Sequence, residues 1–470
     1  MTREPLPRRE RAAPRAHTAL WAASTGLLLA MVSCIAPTRA PLKPAPPEDP
    51  YGSMSAAIAM GKPDEALSRY EESLARQPQS TATRILHARL LMIAGKLAEA
   101  RDEFNLVLAS EPANTAALYN LSLVAGLEGN TEEQRTLLQR VVQIDPSHPE
   151  ALAALGDLSR GRGDDTAAAG FYDRALAADP RSVQALVGKG GVLLDAGDAE
   201  AAEDLYTKAI AIEPDYPFSW ADRARARLGH ADTTGALADL TRAIALDPQD
   251  AWNYGDRGRI YFQLSRRAEA IDDFSMALKL DPSQFQVYAL RAQAYTFAGR
   301  LDEAAADWDK VIALEPTYSF AYPARAVLAW EKGDWAGSRA ALQKAFEFDD
   351  GQFSYLLCAA LAALRDGRKA DPFVQQVLAQ APADSWYRDM ARYLLDRTYE
   401  GQLLAHIDAE RNTALKSREL FYVGVVALMN GMDRVGLTYL LQAEGRGAPS
   451  AVETDLTHAE LERLHAAPAP

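Results

Sequence analysis

Eight prolines stand at equal spacing in this chain: Pro78, Pro112, Pro146, Pro180, Pro214, Pro248, Pro282 and Pro316 are each 34 residues apart, and Asp350 takes the next mark. Most of the marks follow an aliphatic residue and an acid, as in Ile144-Asp-Pro146, Leu246-Asp-Pro248 and Leu314-Glu-Pro316. Proline stops a helix and biases the preceding residue away from helical geometry, so the marks read as helix exits. Glycine keeps the same rhythm at Gly61, Gly95, Gly129, Gly163, Gly197, Gly299, Gly333 and Gly367, where a turn between two helices is expected. Small residues recur at Ala66, Ala100, Ala168, Ala202, Ala236, Ala270 and Ala304. Four residues on, one helical turn away, stand Tyr70, Phe104, Tyr172, Tyr206, Leu240, Phe274 and Trp308. A 34-residue unit of two helices cannot bury its apolar face alone, so the units must stack.

This pattern of proline at the exit, small residues at the crossings and large ones between them resembles the tetratricopeptide repeat (TPR). The resemblance covers about residues 47–352 as nine repeats. It implies an all-α, right-handed superhelix of about nine to eleven helical hairpins, with the regular array over 51–352. Residues 353–452 read as degenerate repeats: 353–386 keep the phase through Gly367, 387–416 lose it, and Ser417–Gly431 restarts it. The closing segment 453–470 reads as a capping helix with a short tail, and the stretch from Trp386 to Leu464 resembles the end of many bacterial TPR proteins.

One position of the first helix is Arg in four successive repeats: Arg223, Arg257, Arg291 and Arg325. An aromatic lies three residues before each (Trp220, Tyr254, Tyr288, Tyr322), and three of these repeats carry Asp at a shared position of the second helix. Arg and Asp come and go together, since repeats with Leu155 or Lys189 have Phe171 or Leu205 opposite, and Arg325 facing Ala341 is the exception. The co-occurrence predicts the bridges Arg223–Asp239, Arg257–Asp273 and Arg291–Asp307.

In TPR proteins the second, fifth, ninth, twelfth and thirteenth repeat positions line the concave face and bind proteins or extended peptides. Here these positions supply Phe218, Arg225, Trp252, Arg259, Phe262, Gln293, Phe297, Phe320 and Trp330. Aromatics beside Arg are the composition of interaction hot spots, and packing against the next repeat is the competing use of each. No repeat has Lys at the fifth or Asn at the ninth position, which argues against the carboxylate clamp of chaperone-binding TPRs.

The amino terminus reads as an address. Arg3, Arg8, Arg9, Arg11 and Arg15 precede the apolar run Ala19–Val32, too short to span a membrane comfortably. Leu28-Leu-Ala-Met-Val-Ser-Cys34 resembles a bacterial lipobox, with Met31 and Val32 departing from its commoner residues. The resemblance implies a signal peptide over 1–33 and an acylated Cys34. Ordinary cleavage near Ala36 or Ala40 and an uncleaved anchor are the rival readings. Several acyl chains anchor stably where one does not. Residues 34–50 would form a tether, with six prolines among residues 35–50 favouring an extended chain. Ile35 is not the Asp that marks inner-membrane retention, so the resemblance points to the outer membrane, facing the periplasm.

The formal net charge is −14, and loss of 1–33 would make it −17; with no basic stripe in the body, nucleic acid is not an expected partner. Two cysteines make neither a disulfide framework nor a thiolate metal site, and Cys358, in an apolar run, reads as a core residue. Gly188-Lys-Gly-Gly191 lacks the loop-then-helix geometry of a phosphate site, and neither a Gly-x-Ser-x-Gly elbow nor a metal-binding histidine pair is present. No catalytic residue or cofactor is therefore expected. The sequence reads as a non-catalytic envelope scaffold, with two alternatives: a soluble cytoplasmic TPR adaptor or co-chaperone, and an enzyme with a site in 387–416, where His406, Asp408 and Glu410 cluster.

Overall fold

In the computed structural model the described residues are 57, 60–74, 80–396, 398, 400–444 and 451–466. The expected signal peptide, Cys34 and the tether lie outside them. The described residues form 24 helices and no strand, in two compact units divided after Pro248.

The first unit holds α1 (Pro63–Leu74), α2 (Thr81–Ile93), α3 (Leu97–Ser110), α4 (Thr115–Leu127), α5 (Thr131–Ile144), α6 (Pro149–Gly161), α7 (Asp165–Ala178), α8 (Val183–Asp195), α9 (Ala199–Ile212), α10 (Pro217–Gly229) and α11 (Thr233–Leu246). The proline and glycine rhythm dictates these boundaries. After each turn, Asn130, Asp164, Asp198 and Asp232 cap the second helix by accepting a backbone N–H. The recurring alanines, Ala66 to Ala236, are fully buried where helices cross, with Tyr70, Phe104, Tyr172, Tyr206 and Leu240 packed one turn on. The Tyr172 ring needs Gly156 and Gly188 beside it: a Cβ on either would stand 2.5 or 2.4 Å from the ring.

The turn glycines all have positive φ. The two marks without glycine, Ala231 and Ser265, adopt the same left-handed geometry, at φ 68° and 62°. The turn is thus set by hairpin packing, and a Cβ is tolerated there at a steric cost.

The second unit continues the hairpins as α12 (Ala251–Gln263), α13 (Arg267–Leu280), α14 (Phe285–Phe297), α15 (Leu301–Leu314), α16 (Ala321–Glu331), α17 (Trp335–Phe348), α18 (Ser354–Arg365) and α19 (Asp371–Gln380). Residues 387–416, out of phase in sequence, fall in α20 (Trp386–Leu395), α21 (Glu400–Ala409) and the start of α22 (Thr413–Met429). That last helix is 17 residues long and pairs with α23 (Asp433–Glu444) through a turn at Gly431, φ 75°. Cys358 is fully buried, with Sγ 3.3 Å from the Tyr422 hydroxyl.

The final helix, α24 (Val452–Ala466), does more than cap the last hairpin. It packs on α22 and α23, and also on α16 and α18, the first helices of two earlier hairpins. It therefore lies across the inner positions of the second unit.

Candidate partner-binding face

Within each unit, first helices of neighbouring hairpins approach one another directly, as α2 and α4, α6 and α8, α8 and α10, or α12 and α14 do. In these pairs the first helices share a layer within their unit. One cationic position stitches this layer to the second helices. Arg223 donates from Nε and Nη2 to both Asp239 oxygens at 2.9 and 2.8 Å, and Arg257 to Asp273 at 2.7 and 2.8 Å. Arg291 meets Asp307 at 2.8 Å through both bonds. The three carboxylates are buried. Each guanidinium also lies within 6 Å of the aromatic three residues before it: Trp220, Tyr254 or Tyr288.

The same position uses a second acceptor, sixteen residues earlier instead of sixteen later. Arg291 also bonds Ser275, and Arg223 bonds Thr207, on the preceding second helix. Arg325, which faces Ala341 at the shared position of its own hairpin, donates to Asp309 at 2.8 Å, and Lys189 to Asp173 at 2.5 Å. His87 lies between both, 3.4 Å from Glu71 and 3.6 Å from Glu103. Asp173 and Asp309 were absent from the sequence expectation because their partners sit on the next hairpin.

The inner positions are not uniformly open. In the first unit, Phe218 is half-buried against Tyr216 and Arg225 is paired with Asp222 at 2.8 Å. In the second unit, Trp252, Phe297 and Phe320 are exposed to 44%, 60% and 70%, while Phe262, Arg259 and Gln293 are half-buried. The Phe262 and Phe297 rings lie 5.9 Å apart, and the Arg267 guanidinium stands over both at 5.5 and 4.9 Å. Arg267 begins α13, so the list of first-helix positions does not include it. Its Nη1 is buried and makes no hydrogen bond.

Trp330 corrects the expectation of an open residue. It is fully buried, because α24 covers it and Glu460 accepts its Nε1–H at 3.0 Å. Arg365 donates to the same carboxylate at 2.8 Å and Arg463 at 2.7 Å. Burial pushes the Glu460 carboxyl up, but these donors and charges outweigh it and hold it below its ordinary value. Two turns earlier on α24, Glu453 accepts from the Tyr422 hydroxyl at 3.0 Å and pairs with Arg418 at 3.2 Å.

In the 387–416 region, His406 and Asp408 are exposed and Glu410 is half-buried. The unusual group is Glu419 on α22. It is 1% exposed, neither oxygen accepts a hydrogen bond, and the His406 Nε2 stands 3.9 Å away. Burial pushes its carboxyl up to about 7, aided by Glu410 and Asp389 and opposed by His406 and Lys416.

Stacked two-helix repeats joined by shared inner and outer layers define a helical-hairpin solenoid. Family models described as tetratricopeptide repeat match residues 57–123, 135–217 and 221–322, more than half the chain, and the chain belongs to that family. No curated protein matches it in sequence. Among solved structures it is similar to a tetratricopeptide repeat protein from Parabacteroides merdae (19% identity, TM-score 0.40, covering 53% of this chain and 98% of that one). It is also similar to pilF of Pseudomonas aeruginosa (20%, 0.41, 44% and 93%) and to YrrB, described as having an unusual peptide-binding site (20%, 0.34, 39% and 95%). As a member of this family the chain is a protein-interaction scaffold.

Proposed function

We propose that the chain is a non-catalytic scaffold of the bacterial cell envelope, tethered through an acylated Cys34, that binds an extended segment of a partner protein along the first-helix face of its second unit. The observation that carries the binding reading is the Phe262–Arg267–Phe297 cluster. The exposed Phe297 ring and the half-buried Phe262 ring, with one guanidinium over both, offer apolar contact and a local positive charge to an extended segment. Trp252 and Phe320 are further exposed aromatics of the same unit. The envelope reading is supported by the basic start, the apolar run and the Leu28–Cys34 motif.

Crosslinked cells expressing the wild type or Trp252→Ala/Phe262→Ala/Phe297→Ala supply the test. Envelope proteins recovered with the wild type and absent with the variant would support the reading. Partners that persist with the variant would move binding off this face. Labelling with a radioactive fatty acid, lost in Cys34→Ser, tests the anchor independently, and an unlabelled wild type would overturn it.

A further inference from the structure

The helix α24 buries two carboxylates, Glu453 and Glu460, that sit on one face because seven residues make two turns, about 10 Å along the axis. Each enters its own pocket of cation and aromatic. Trp330 and Arg365 read Glu460, and Tyr422 and Arg418 read Glu453. Arg365 additionally faces Trp335 and Trp330, at 4.9 and 5.7 Å, so the pocket is shaped by stacking as well as charge. These pockets are lined from α16, α18 and α22, first helices like those proposed above to bind a partner.

We propose that this part of the inner face is a groove for an acidic helix, that the chain's own α24 occupies it as a tethered ligand, and that a partner helix carrying two carboxylates seven residues apart competes for it. Four features support exchange over permanent packing. The anchors are buried ion pairs, which specify a geometry while adding little net stability over apolar packing. Among the described side chains of α24, its apolar contribution rests on Val452, Leu456, Ala459 and Leu461, with Leu464 partly buried. The fit is incomplete: Arg365 Nε is buried without a hydrogen bond, and Arg418 Nε and Glu453 Oε2 stand 3.2 Å apart outside hydrogen-bond geometry, so a better-aligned carboxylate gains there. A 15-residue helix is also marginal alone in water, so α24 holds its form only while docked.

Fluorescence anisotropy with a labelled peptide of residues 451–466 tests this on the full chain. The Glu453→Gln/Glu460→Gln chain, whose own helix has lost its anchors, is expected to bind the peptide at least tenfold more tightly than the wild type. A peptide with Gln at both positions is expected to bind that chain at least tenfold more weakly. Equal affinities in either comparison would overturn the proposal. Hydrogen exchange on the wild-type chain guards against a misfolded variant: α24 amides are expected to exchange at least tenfold faster than those of α22. Equal protection would make α24 a permanent part of the core. A dimer that appears on loosening α24, with the helix exchanged between copies, would replace the partner by a second copy of this chain and overturn the assignment.

Discussion

Removing the Asp307 carboxylate tests whether the cationic position is structural. Asp307 is 7% and Arg291 17% exposed at the side chain, and two charge-assisted hydrogen bonds join them. Each such bond contributes about 1.5–3 kcal/mol. Breaking a buried pair from one side costs about 3–5 kcal/mol, because a charge is left uncompensated. Arg291 keeps Ser275 and is the more exposed partner, so Asp307→Ala falls at the low end, about 3 kcal/mol. Arg291→Met strands the deeper carboxylate and costs about 4 kcal/mol. The double variant Arg291→Met/Asp307→Leu removes both charges and stays within about 1 kcal/mol of the wild type. A repeat array opens locally, so native-state hydrogen exchange of α14 and α15 is the assay, with urea unfolding as the global check. Single variants costing under about 1 kcal/mol, or a double variant equal to their sum, would refute the reasoning.

Three further outcomes follow from the packing. Ala231→Gly and Ser265→Gly relieve left-handed backbone and each raise stability by about 0.5–1 kcal/mol, read as a higher urea midpoint; a lower midpoint would contradict the steric argument. Gly188→Ala drives a methyl into the Tyr172 ring and costs about 1–3 kcal/mol in the same measurement, whereas Gly161→Ala, with open space around it, does not. The raised carboxyl of Glu419 makes the native state bind a proton that the unfolded chain releases above about pH 4.5. Its contribution is therefore fully present below that pH and is lost as pH rises through about 7, a change of up to about 3 kcal/mol. Glu419→Gln flattens the pH 5–8 stability profile in this window, and an unchanged profile would assign the dependence elsewhere.

The hairpins were legible because a 34-residue period repeats both the breakers and the crossing residues, and local chemistry suffices to place them. The Arg223, Arg257 and Arg291 pairs were legible because both partners recur within one repeat. Asp173 and Asp309 escaped because the acceptor belongs to the previous repeat; subtracting sixteen from each cation finds them. Trp330 occupies an inner position by register, and register is blind to a helix 130 residues further on that folds over it. The spacing over 387–416 is irregular, but spacing alone does not exclude helices, and α20 and α21 form there on their own apolar faces, including Met390, Tyr393, Leu403 and Ile407.

The two-way reach of the cationic position limits how this array can be edited by recombination. A hairpin whose Arg bonds an acid on its own second helix, as at Arg291, carries its counter-ion wherever it is moved. Arg325 and Lys189 depend on the hairpin before them. Excising residues 285–318 would keep the 34-residue phase but set Ser275 where Asp309 now meets Arg325, exchanging a carboxylate for a hydroxyl. Some modules of this chain are portable and others are bound to their predecessor, so gain or loss of repeats is tolerated at some junctions and penalised at others.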